Sequence, residues 1–377
     1  LETLKQEDAV VIISGTTETE KELLEIALCA RDQSLTHADR LSIIEVSYLA
    51  LTRAIIPVLH QSSSLSFVKQ RFNALEELFK GVQLLGELPE KTIHEIVNHA
   101  SILSSYLFAS ACKAILNNTQ WIDGREILVA ERVNGAIVCN EKASKTNLQQ
   151  NWNRLETGIK IISGSAARDA KGNTIVFGKG GGDLSASIFA GLLNAVEIEI
   201  WSSQNTYATA DPLLVKNAKP IQELTYQEAI ELSHFENSLV APAALNHAVK
   251  KKIPISIFSF ENLTGTSTRI HQELNPKKEM ITGISSLDNV ALINIEGSGM
   301  IGVPGFSKRL FECLSNKKIN IIMITQASSE HSICLGVRSE DAQVAKKAID
   351  EHFAFEISLN KVAPAVVETK MTNIAVV

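Results

Sequence analysis

The sequence predicts an α/β domain with a mostly parallel sheet, followed by a smaller ferredoxin-like α+β region. Three observations lead to this prediction. The run from Ala9 to Ser14 is short, continuous and apolar, which is typical of a parallel strand buried on both faces. After Trp121, short strand-like runs alternate with helical segments. Beyond residue 278 the elements follow the order β-α-β-β-α-β of a ferredoxin-like unit.

Length and composition agree with this prediction. The chain has 377 residues, of which 45% are hydrophobic and 21% are charged, and its net charge is −6 at pH 7. At about 150 residues per domain, this length predicts two or three domains. The composition excludes disordered, collagen-like and disulfide-framework proteins. The negative charge argues against nucleic acid as a partner, because it provides no overall positive field for phosphates.

Cysteine and histidine spacing predicts no protein-bound metal. The histidines lack the spacing of metal ligands, and the cysteines form no C-x-x-C pair. We interpret the cysteines as small buried residues in a reducing cytoplasm, and we expect no membrane partner because no apolar run approaches about 18 residues. The cysteines are Cys29, Cys112, Cys139, Cys313 and Cys334.

Helices are predicted between Gly15 and about Asn117, because apolar residues recur there at spacings of three and four. Leu84-Leu85-Gly86 is typical of a helix end, and Leu88-Pro89-Glu90 of a helix start. After Trp121 the pattern predicts strands at 127–130, 136–139, 159–163, 174–177, 196–201 and 255–258, and helices at 184–193, 226–232 and 242–250.

The second region is predicted to begin at residue 273, so that the domains are 1–272 and 273–377. The boundary lies in a polar stretch containing Asn275-Pro276-Lys277-Lys278. The predicted elements are strands at 290–295, 319–324, 332–337 and 355–359, and helices at 305–314 and 342–353. Residues 373–377 are predicted as the first strand of a second, incomplete unit, as in a segment of a longer protein.

A glycine-rich turn, Gly178-Lys179-Gly180-Gly181-Gly182-Asp183, lies between a predicted strand and a predicted helix. Glycines allow the backbone to approach a phosphate closely, the helix N-terminus offers unpaired N–H groups, and Lys179 adds positive charge. Asp183 could cap the helix or face a metal ion. A glycine-rich turn with an aspartate cap and no ligand is the alternative.

A polar loop, residues 201–212, leaves the carboxyl end of the predicted strand 196–201. Open α/β sheets bind their ligands at this end. Together with the glycine-rich turn and Glu223-Leu224-Thr225-Tyr226, this loop resembles aspartokinases of the amino-acid kinase fold. A later segment contains residues 283–286, 296–305 and 325–334. It is similar to the regulatory ACT region in the aspartokinase half of bifunctional aspartokinase/homoserine dehydrogenases.

The resemblance implies an amino-acid kinase fold followed by an ACT region, and ATP-dependent phosphorylation of the β-carboxylate of L-aspartate with Mg²⁺. It implies catalytic roles for Lys179 and Asp183 and substrate binding by Ser14, Ser163 and Gly164. The residues that it implies for nucleotide binding are Gly178, Gly180, Gly181, Gly182, Trp201, Ser202, Thr209, Ala210 and Asp211.

The sequence also departs from the family pattern. The family's Lys-Phe-Gly-Gly-Thr-Ser motif is absent, and its Gly-Arg-Gly-Gly-Ser-Asp motif has Lys179 for Arg and Gly182 for Ser. Lysine keeps the charge but not the bidentate grip of arginine. Ser203 and Asn205 replace carboxylates, Ser238 replaces a lysine, and Ser101 replaces a substrate-binding glutamate. A catalytically degraded module, kept for effector sensing or assembly, is therefore the alternative function.

The resemblance implies an amino-acid effector, with threonine favoured over lysine or methionine, and a homodimer or higher homo-oligomer. The implied effector residues are Met300, Gly302, Pro304, Gly305, Asn320 and Gln326. The N-terminus of the helix that begins near Gly305 suits an effector carboxylate. Asn320 and Gln326 could instead only close turns.

Overall fold

The structure is a computed structural model that describes residues 9–34, 36–116, 118–133, 136–152, 158–203, 206–233, 239–262, 265–272, 281–300, 302–326 and 331–377. The chain divides into two compact units. The described residues of the first lie within Leu1–Tyr207, Pro220–Ser233 and Ser238–Lys277, and those of the second within Ala208–Lys219 and Lys278–Val377. The predicted boundary stretch, residues 273–278, lies outside the described residues.

Four long helices form the first part of the first unit. They are α1 (Thr17–Arg31), α2 (Thr36–Ile55), α3 (Val58–Leu85) and α4 (Glu90–Ile115). Their apolar faces share one core, in which Ile26, Val68 and Leu75 are fully buried. The predicted helix end is confirmed, because Gly86 caps α3 at φ 64° and donates its N–H to Val82. Pro89 immediately precedes α4, as predicted.

A parallel sheet holds the centre of the first unit. Its strands are β1 (Val10–Ile13), β2 (Thr119–Ile122) and β5 (Ile159–Ser163), in the order β1-β5-β2. Every residue of β5 is buried, as expected for a central strand with helices on both faces. The parallel strand predicted over residues 9–14 is confirmed by β1, but its four residues are half-buried and not buried on both faces as predicted.

The remaining elements of the first unit surround this sheet. A hairpin of β3 (Ala130–Val133) and β4 (Ala136–Cys139) precedes α5 (Glu141–Trp152), and a second hairpin pairs β6 (Ala166–Arg168) with β7 (Thr174–Val176). The later elements are α6 (Gly181–Leu193), β8 (Ile198–Ser202), β9 (Glu223–Thr225), α7 (Tyr226–Ser233), α8 (Pro242–Lys251), β10 (Ile255–Ser259) and β11 (Thr268–His271).

These later strands form a sheet in the order β8-β10-β11-β9, in which β8 and β10 are parallel. The strand predicted at 127–130 is wrong over most of its length. Residues Gly124–Glu126 form a 3₁₀ turn, Ile127 and Leu128 are fully buried outside any strand, and β3 begins only at Ala130. These residues are apolar because they are buried, and the sequence pattern alone attributed the apolar run to a strand.

The second unit contains an antiparallel sheet in the order β13-β14-β12-β15, with helices packed on it. Its strands are β12 (Ile284–Glu296), β13 (Met323–Gln326), β14 (Ser332–Arg338) and β15 (Val366–Val376). Its helices are α9 (Phe306–Asn316), α10 (Ala342–His352) and α11 (Ala354–Ser358). The core between them contains Ile293, Leu310, Leu335 and Phe353, all fully buried.

The strand predicted at 355–359 is wrong, because these residues lie in and just after the short helix α11. Phe353 is fully buried while Phe355, two residues later, is 72% exposed, so the two rings do not share one face as they would in a strand. The fourth strand of the sheet is β15, which contains most of the predicted segment 373–377 and pairs with β12. An incomplete second unit stays a prediction.

Candidate active site

The predicted substrate-binding residues lie at one edge of the parallel sheet. Ser163 ends β5 and Ser14 follows β1, so both are at the carboxyl edge, and Gly164 donates its N–H to Ile13 at 2.8 Å. Ser14 is half-buried, whereas Ser163 and Gly164 are buried. The structure therefore brings the three residues together at the ends of two paired strands.

The glycine-rich turn lies directly against this edge. A Cβ atom added to Gly182 would lie 2.3 Å from Ser14 Oγ, and one added to Gly164 would lie 3.5 Å from Gly182 Cα. The first turn of α6 thus lies over the ends of β1 and β5. Glycine at position 182 has a steric reason: a side chain there would displace the Ser14 hydroxyl.

Helix α6 begins three residues earlier than predicted, so Gly181 and Gly182 form its first turn. Gly178 and Gly180 have φ angles of 79° and 74°, a backbone conformation that favours glycine. Gly180 immediately precedes α6, and no side chain caps the N-terminus of this helix. The first N–H groups of a helix have no intrahelical acceptor, and they carry the positive end of its dipole.

Asp183 joins two helix N-termini. Its Oδ2 accepts a hydrogen bond of 3.0 Å from the N–H of Ala241, the residue that precedes α8. The proposed aspartate cap of α6 is therefore wrong, because Asp183 serves α8. Burial raises the pKa of Asp183 above its ordinary value, and the Ala241 N–H opposes this rise only in part.

Lys179 is exposed, and it forms no hydrogen bond or ion pair with the part of the chain that the structure describes. It therefore offers an uncompensated positive charge next to the N-terminus of α6. A phosphate at this turn would meet helix N–H groups, a close backbone approach and one cation.

Trp201 lies near the carboxyl end of β8 and is 37% exposed. Its ring stacks on Phe258 of β10, with centroids 4.8 Å apart, and also meets Phe260 at 5.7 Å. Ser202 ends β8, and its carbonyl accepts the N–H of Phe260. Ser203 is exposed, whereas Asn205 and Ser238 lie outside the described residues.

Thr209, Ala210 and Asp211 belong to the second unit and not to the unit that holds the glycine-rich turn. The carbonyl of Thr209 accepts the N–H of Ile284 at 2.8 Å, at the start of β12. Asp211 Oδ1 accepts the N–H of Leu213, which closes a local turn. Nucleotide binding by these three residues stays a prediction.

A buried charged cluster next to Ser163 is absent from the sequence predictions. Arg125, only 8% exposed, donates to Asp123, Glu95 and Thr174 over 2.8–3.2 Å. Burial alone would raise the pKa of Asp123, but the Arg125 hydrogen bonds and charge hold it below its ordinary value. The signal available in the sequence was the charged pair in Asp123-Gly124-Arg125 directly after a strand.

Ser101, which replaces a glutamate of the family, is fully buried on α4. Its Oγ accepts the N–H of Gly15 at 2.9 Å. A Cβ atom on Gly15 would lie 2.5 Å from Ala100 Cβ, so α4 and the end of β1 are in direct backbone contact. This close contact explains the glycine at position 15.

The predicted effector residues lie between β12 and the end of β13 in the second unit. Met300 is buried in a 3₁₀ turn after β12, and Gly302 and Gly305 have φ angles of 64° and 88°. Gly305 precedes α9 without any side-chain cap. Asn320 and Gln326 are exposed, as is Pro304. A nearby cleft of about 710 Å³ is lined by Glu296, Ser298, His331 and Asn360, among others, and by none of these six residues.

The described residues contain no group of three or more His, Cys, Asp or Glu side chains placed to hold a metal ion. Within the same residues, no helix has both the length and the apolar character that a membrane span requires.

Family profiles match most of the chain. The profile of the amino acid kinase family matches residues 1–259, and that of the ACT domain matches residues 293–353. The structure is similar to that of E. coli aspartokinase III in complex with aspartate and ADP, with a TM-score of 0.82 at 20% identity over 100% of this chain and 82% of that chain. It is also similar to the aspartate kinase of Clostridium acetobutylicum, with a TM-score of 0.72 at 19% identity over 98% of this chain and 79% of that chain.

Curated relatives are named as aspartokinases or as bifunctional aspartokinase/homoserine dehydrogenases. The chain is 29% identical to bifunctional aspartokinase/homoserine dehydrogenase 1 of Arabidopsis thaliana over 78% of this chain and 33% of the relative. It is 33% identical to the bifunctional enzyme of Haemophilus influenzae over 58% of this chain and 27% of the relative. It is 26% identical to aspartokinase 1 of Arabidopsis thaliana over 88% of this chain and 58% of the relative.

The chain spans about a third of the length of the bifunctional relatives that it matches. The comparisons confirm the resemblance and the fold class, and they do not favour a degraded module. The chain belongs to the amino acid kinase family and carries an ACT domain after its kinase-fold part.

Proposed function

We propose that this chain is the kinase and regulatory part of an aspartokinase, which transfers the γ-phosphoryl group of ATP to the β-carboxylate of L-aspartate. The observation that supports it most directly is the contact of Ser14 and Gly164 with Gly182. Two strand ends and a helix N-terminus converge there, at the carboxyl edge where α/β sheets bind ligands. Phosphoryl transfer needs such positioning together with positive electrostatic potential.

The residues of the glycine-rich turn fit a nucleotide phosphate. A Cβ atom at Gly180 or Gly182 would collide with Ala241 or Ser14, whereas one at Gly178 would meet nothing within 4 Å, so the backbone open to an approaching phosphate is at Gly178. Lys179 would then neutralise charge on the transferred group, and Asp183 would keep the N-termini of α6 and α8 together. Bound Mg²⁺ would supply further charge neutralisation, mainly through phosphate oxygens.

The acceptor substrate, L-aspartate, would lie on the side of Gly182 opposite the nucleotide phosphate, next to Ser163 and Gly164. Ser14 is the accessible hydroxyl at this position. Because Lys179 lacks the fork of arginine, we expect weaker fixation of the substrate carboxylate than an arginine would give.

The second unit would sense an amino-acid effector, with threonine as our candidate. Its carboxylate would meet the uncapped N-terminus of α9 near Gly305, with Asn320 and Gln326 as side-chain contacts. One similar structure, E. coli aspartokinase III, is described in complex with lysine and aspartate.

We also propose a homodimer or higher homo-oligomer. A cytoplasmic location stays a prediction, since the plant relatives are named as chloroplastic.

Isothermal titration with ATP·Mg²⁺, followed by an aspartate-dependent ADP-release assay, tests the kinase. Lys179→Met should reduce turnover at least tenfold, whereas Lys171→Met, in another exposed turn of the same unit, should leave it unchanged. Absence of ATP binding in the unaltered chain would contradict the proposal, and threonine binding without ATP binding would indicate a sensing module instead.

Effector and assembly have separate tests. Titration with threonine and then lysine identifies the effector, and binding of neither would contradict the regulatory assignment. Sedimentation at micromolar concentration should show a dimer or larger species, and a monomer would contradict the proposed assembly.

A further inference from the structure

A buried cluster of charged and polar side chains lies beneath the acceptor end of the candidate site. It consists of four buried residues, namely Asn98 on α4, Asp123 and Arg125 after β2 and Thr174 on β7, together with the half-buried Glu95 on α4. We propose that Arg125 is a positioning residue for the acceptor substrate: it holds Asp123 and α4 in place, and through them the ends of β5 and β1. This inference rests on the proposed kinase function.

Arg125 is held by groups from α4, from the turn after β2 and from β7. Its Nε and Nη2 donate to Asp123, and its Nη1 donates to both carboxylate oxygens of Glu95 and to Thr174 Oγ1. With its amide oxygen turned towards the guanidinium, Asn98 accepts from Nε at 3.2 Å. Because the side chain is buried and engaged on every side, Arg125 is not itself a contact for substrate.

Asp123 transmits this arrangement to β5. Its Oδ1 accepts from the backbone N–H of Arg125 at 3.0 Å and from Ser163 Oγ at 3.4 Å. The same Ser163 Oγ accepts the N–H of Gly124 at 2.9 Å. A hydroxyl has one proton and two lone pairs, so these contacts fix the direction of the Ser163 proton. The last residue of β5 is therefore oriented by the turn that Arg125 stabilises.

Helix α4 transmits the arrangement to β1. Glu95, Asn98 and Ser101 are spaced by three residues, which places them along one side of the helix. Glu95 and Asn98 contact Arg125, and Ser101 holds the N–H of Gly15 next to Ser14. One side chain thus controls the positions of both strand ends that contact Gly182.

Arginine suits this position better than lysine would. Three acceptors on three elements, namely Asp123, Glu95 and Thr174, share one planar fork, and an ammonium group cannot reach them all from a single point. Thr174 also donates to Glu95, which closes the network. Asp123 and Glu95 carry two negative charges against one guanidinium, so removal of Arg125 would leave both carboxylates without their cation.

The test uses Arg125→Lys as the main variant, because it keeps the charge and removes the fork. Arg125→Met and Ser163→Ala are added as single variants, and Ser163→Ala is also combined with each Arg125 variant. Arg132→Met serves as the control, since Arg132 also pairs with α4, through Glu90 at 2.6 Å, but on the surface. We measure the KM and Kd for aspartate, the Kd for ATP, the thermal midpoint, and hydrogen exchange of the segments 119–125, 159–165 and 198–202.

We expect Arg125→Lys to raise the KM for aspartate at least tenfold while the Kd for ATP changes less than threefold. Exchange should accelerate in 119–125 and 159–165 but not in 198–202, and Arg132→Met should change neither binding nor exchange. Ser163→Ala should weaken aspartate binding in the native background and add little in the Arg125→Lys background, because its hydroxyl is no longer oriented.

Equal weakening of ATP and aspartate, or additive effects of Arg125→Lys and Ser163→Ala, would overturn the positioning role and indicate a general structural role. If the unaltered chain binds no aspartate, the proposed kinase function fails. Hydrogen exchange then decides the inference separately: unchanged protection of 119–125 and 159–165 in both Arg125 variants overturns it.

Discussion

The two glycines of the turn before α6 allow backbone strain and steric contact to be separated. Gly178 and Gly180 have almost the same φ, 79° and 74°. A Cβ atom at Gly178 would meet nothing within 4 Å, whereas one at Gly180 would lie 2.3 Å from Ala241 Cβ. Gly178→Ala therefore tests the backbone conformation alone, and Gly180→Ala tests it together with the contact between α6 and α8.

The magnitudes follow from these distances. An alanine in the left-handed region costs about 1–2 kcal/mol of unfolding free energy. Carbon atoms in contact lie about 3.5–4.0 Å apart, so Gly180→Ala must also push α8 away. Overpacking of this kind costs roughly 1–3 kcal/mol. We expect Gly178→Ala to lower the free energy of unfolding by about 1–2 kcal/mol and Gly180→Ala by about 2–5 kcal/mol.

Urea denaturation followed by circular dichroism measures both free energies. Ala241→Gly removes the opposing Cβ atom at a position that tolerates glycine, just before a helix. The double variant Gly180→Ala/Ala241→Gly should recover about 1–3 kcal/mol relative to additivity. Equal costs for the two single variants, or strict additivity in the double variant, would refute the steric account of Gly180.

Three further predictions concern buried polar groups. Asp183→Asn should raise the free energy of unfolding at pH 7, because burial raises the pKa of Asp183 and so penalises its charged form. Urea titrations should show that this gain disappears below about pH 4, where the carboxyl is protonated in both the folded and the unfolded protein. Ser101→Glu should lower thermal stability by about 3 kcal/mol or more, because it buries a carboxylate without a cation; an unchanged thermal midpoint would contradict the tight contact at α4. In the folded protein the pKa values of Asp123 and Glu95 are lowered. These two carboxylates therefore stabilise the folded state fully above the ordinary carboxyl pKa of about 4, and the stabilisation is lost as the pH falls through the lower folded pKa values. Thermal midpoints from pH 6 to 3 should fall more steeply in the unaltered chain than in Arg125→Met.

Local patterns predicted the parts of the fold whose stability depends on apolar burial. Strand β1 is a continuous apolar run and β5 is apolar at three of its five positions, while glycine follows the end of α3 and proline precedes the start of α4. Helix α5 was not predicted, because it is largely polar and only Ser144 and Leu148 are buried. Helix α11 was mistaken for a strand, since its five residues are too few to show a helical period.

The site was predictable where adjacent residues form it and not where distant residues do. The glycine-rich turn and the strand ends are local signals, and the structure brings Ser14, Gly164 and Gly182 together. The Arg125 cluster joins side chains as far apart as Glu95 and Thr174, which are 79 residues apart in sequence. Such partners are selected by tertiary packing, and no spacing rule in the sequence identifies them.

The hydrogen bond between Ile284 N–H and the carbonyl of Thr209 restricts how this protein can be shortened. A chain cut at residue 272 would retain Thr209 but lose Ile284, and with it the strand that holds the segment Ala208–Lys219. The remaining fragment would have a loose segment of twelve residues that includes the second part of the polar loop 201–212. Expression boundaries drawn from the order of the sequence alone would therefore separate residues that fold as one body.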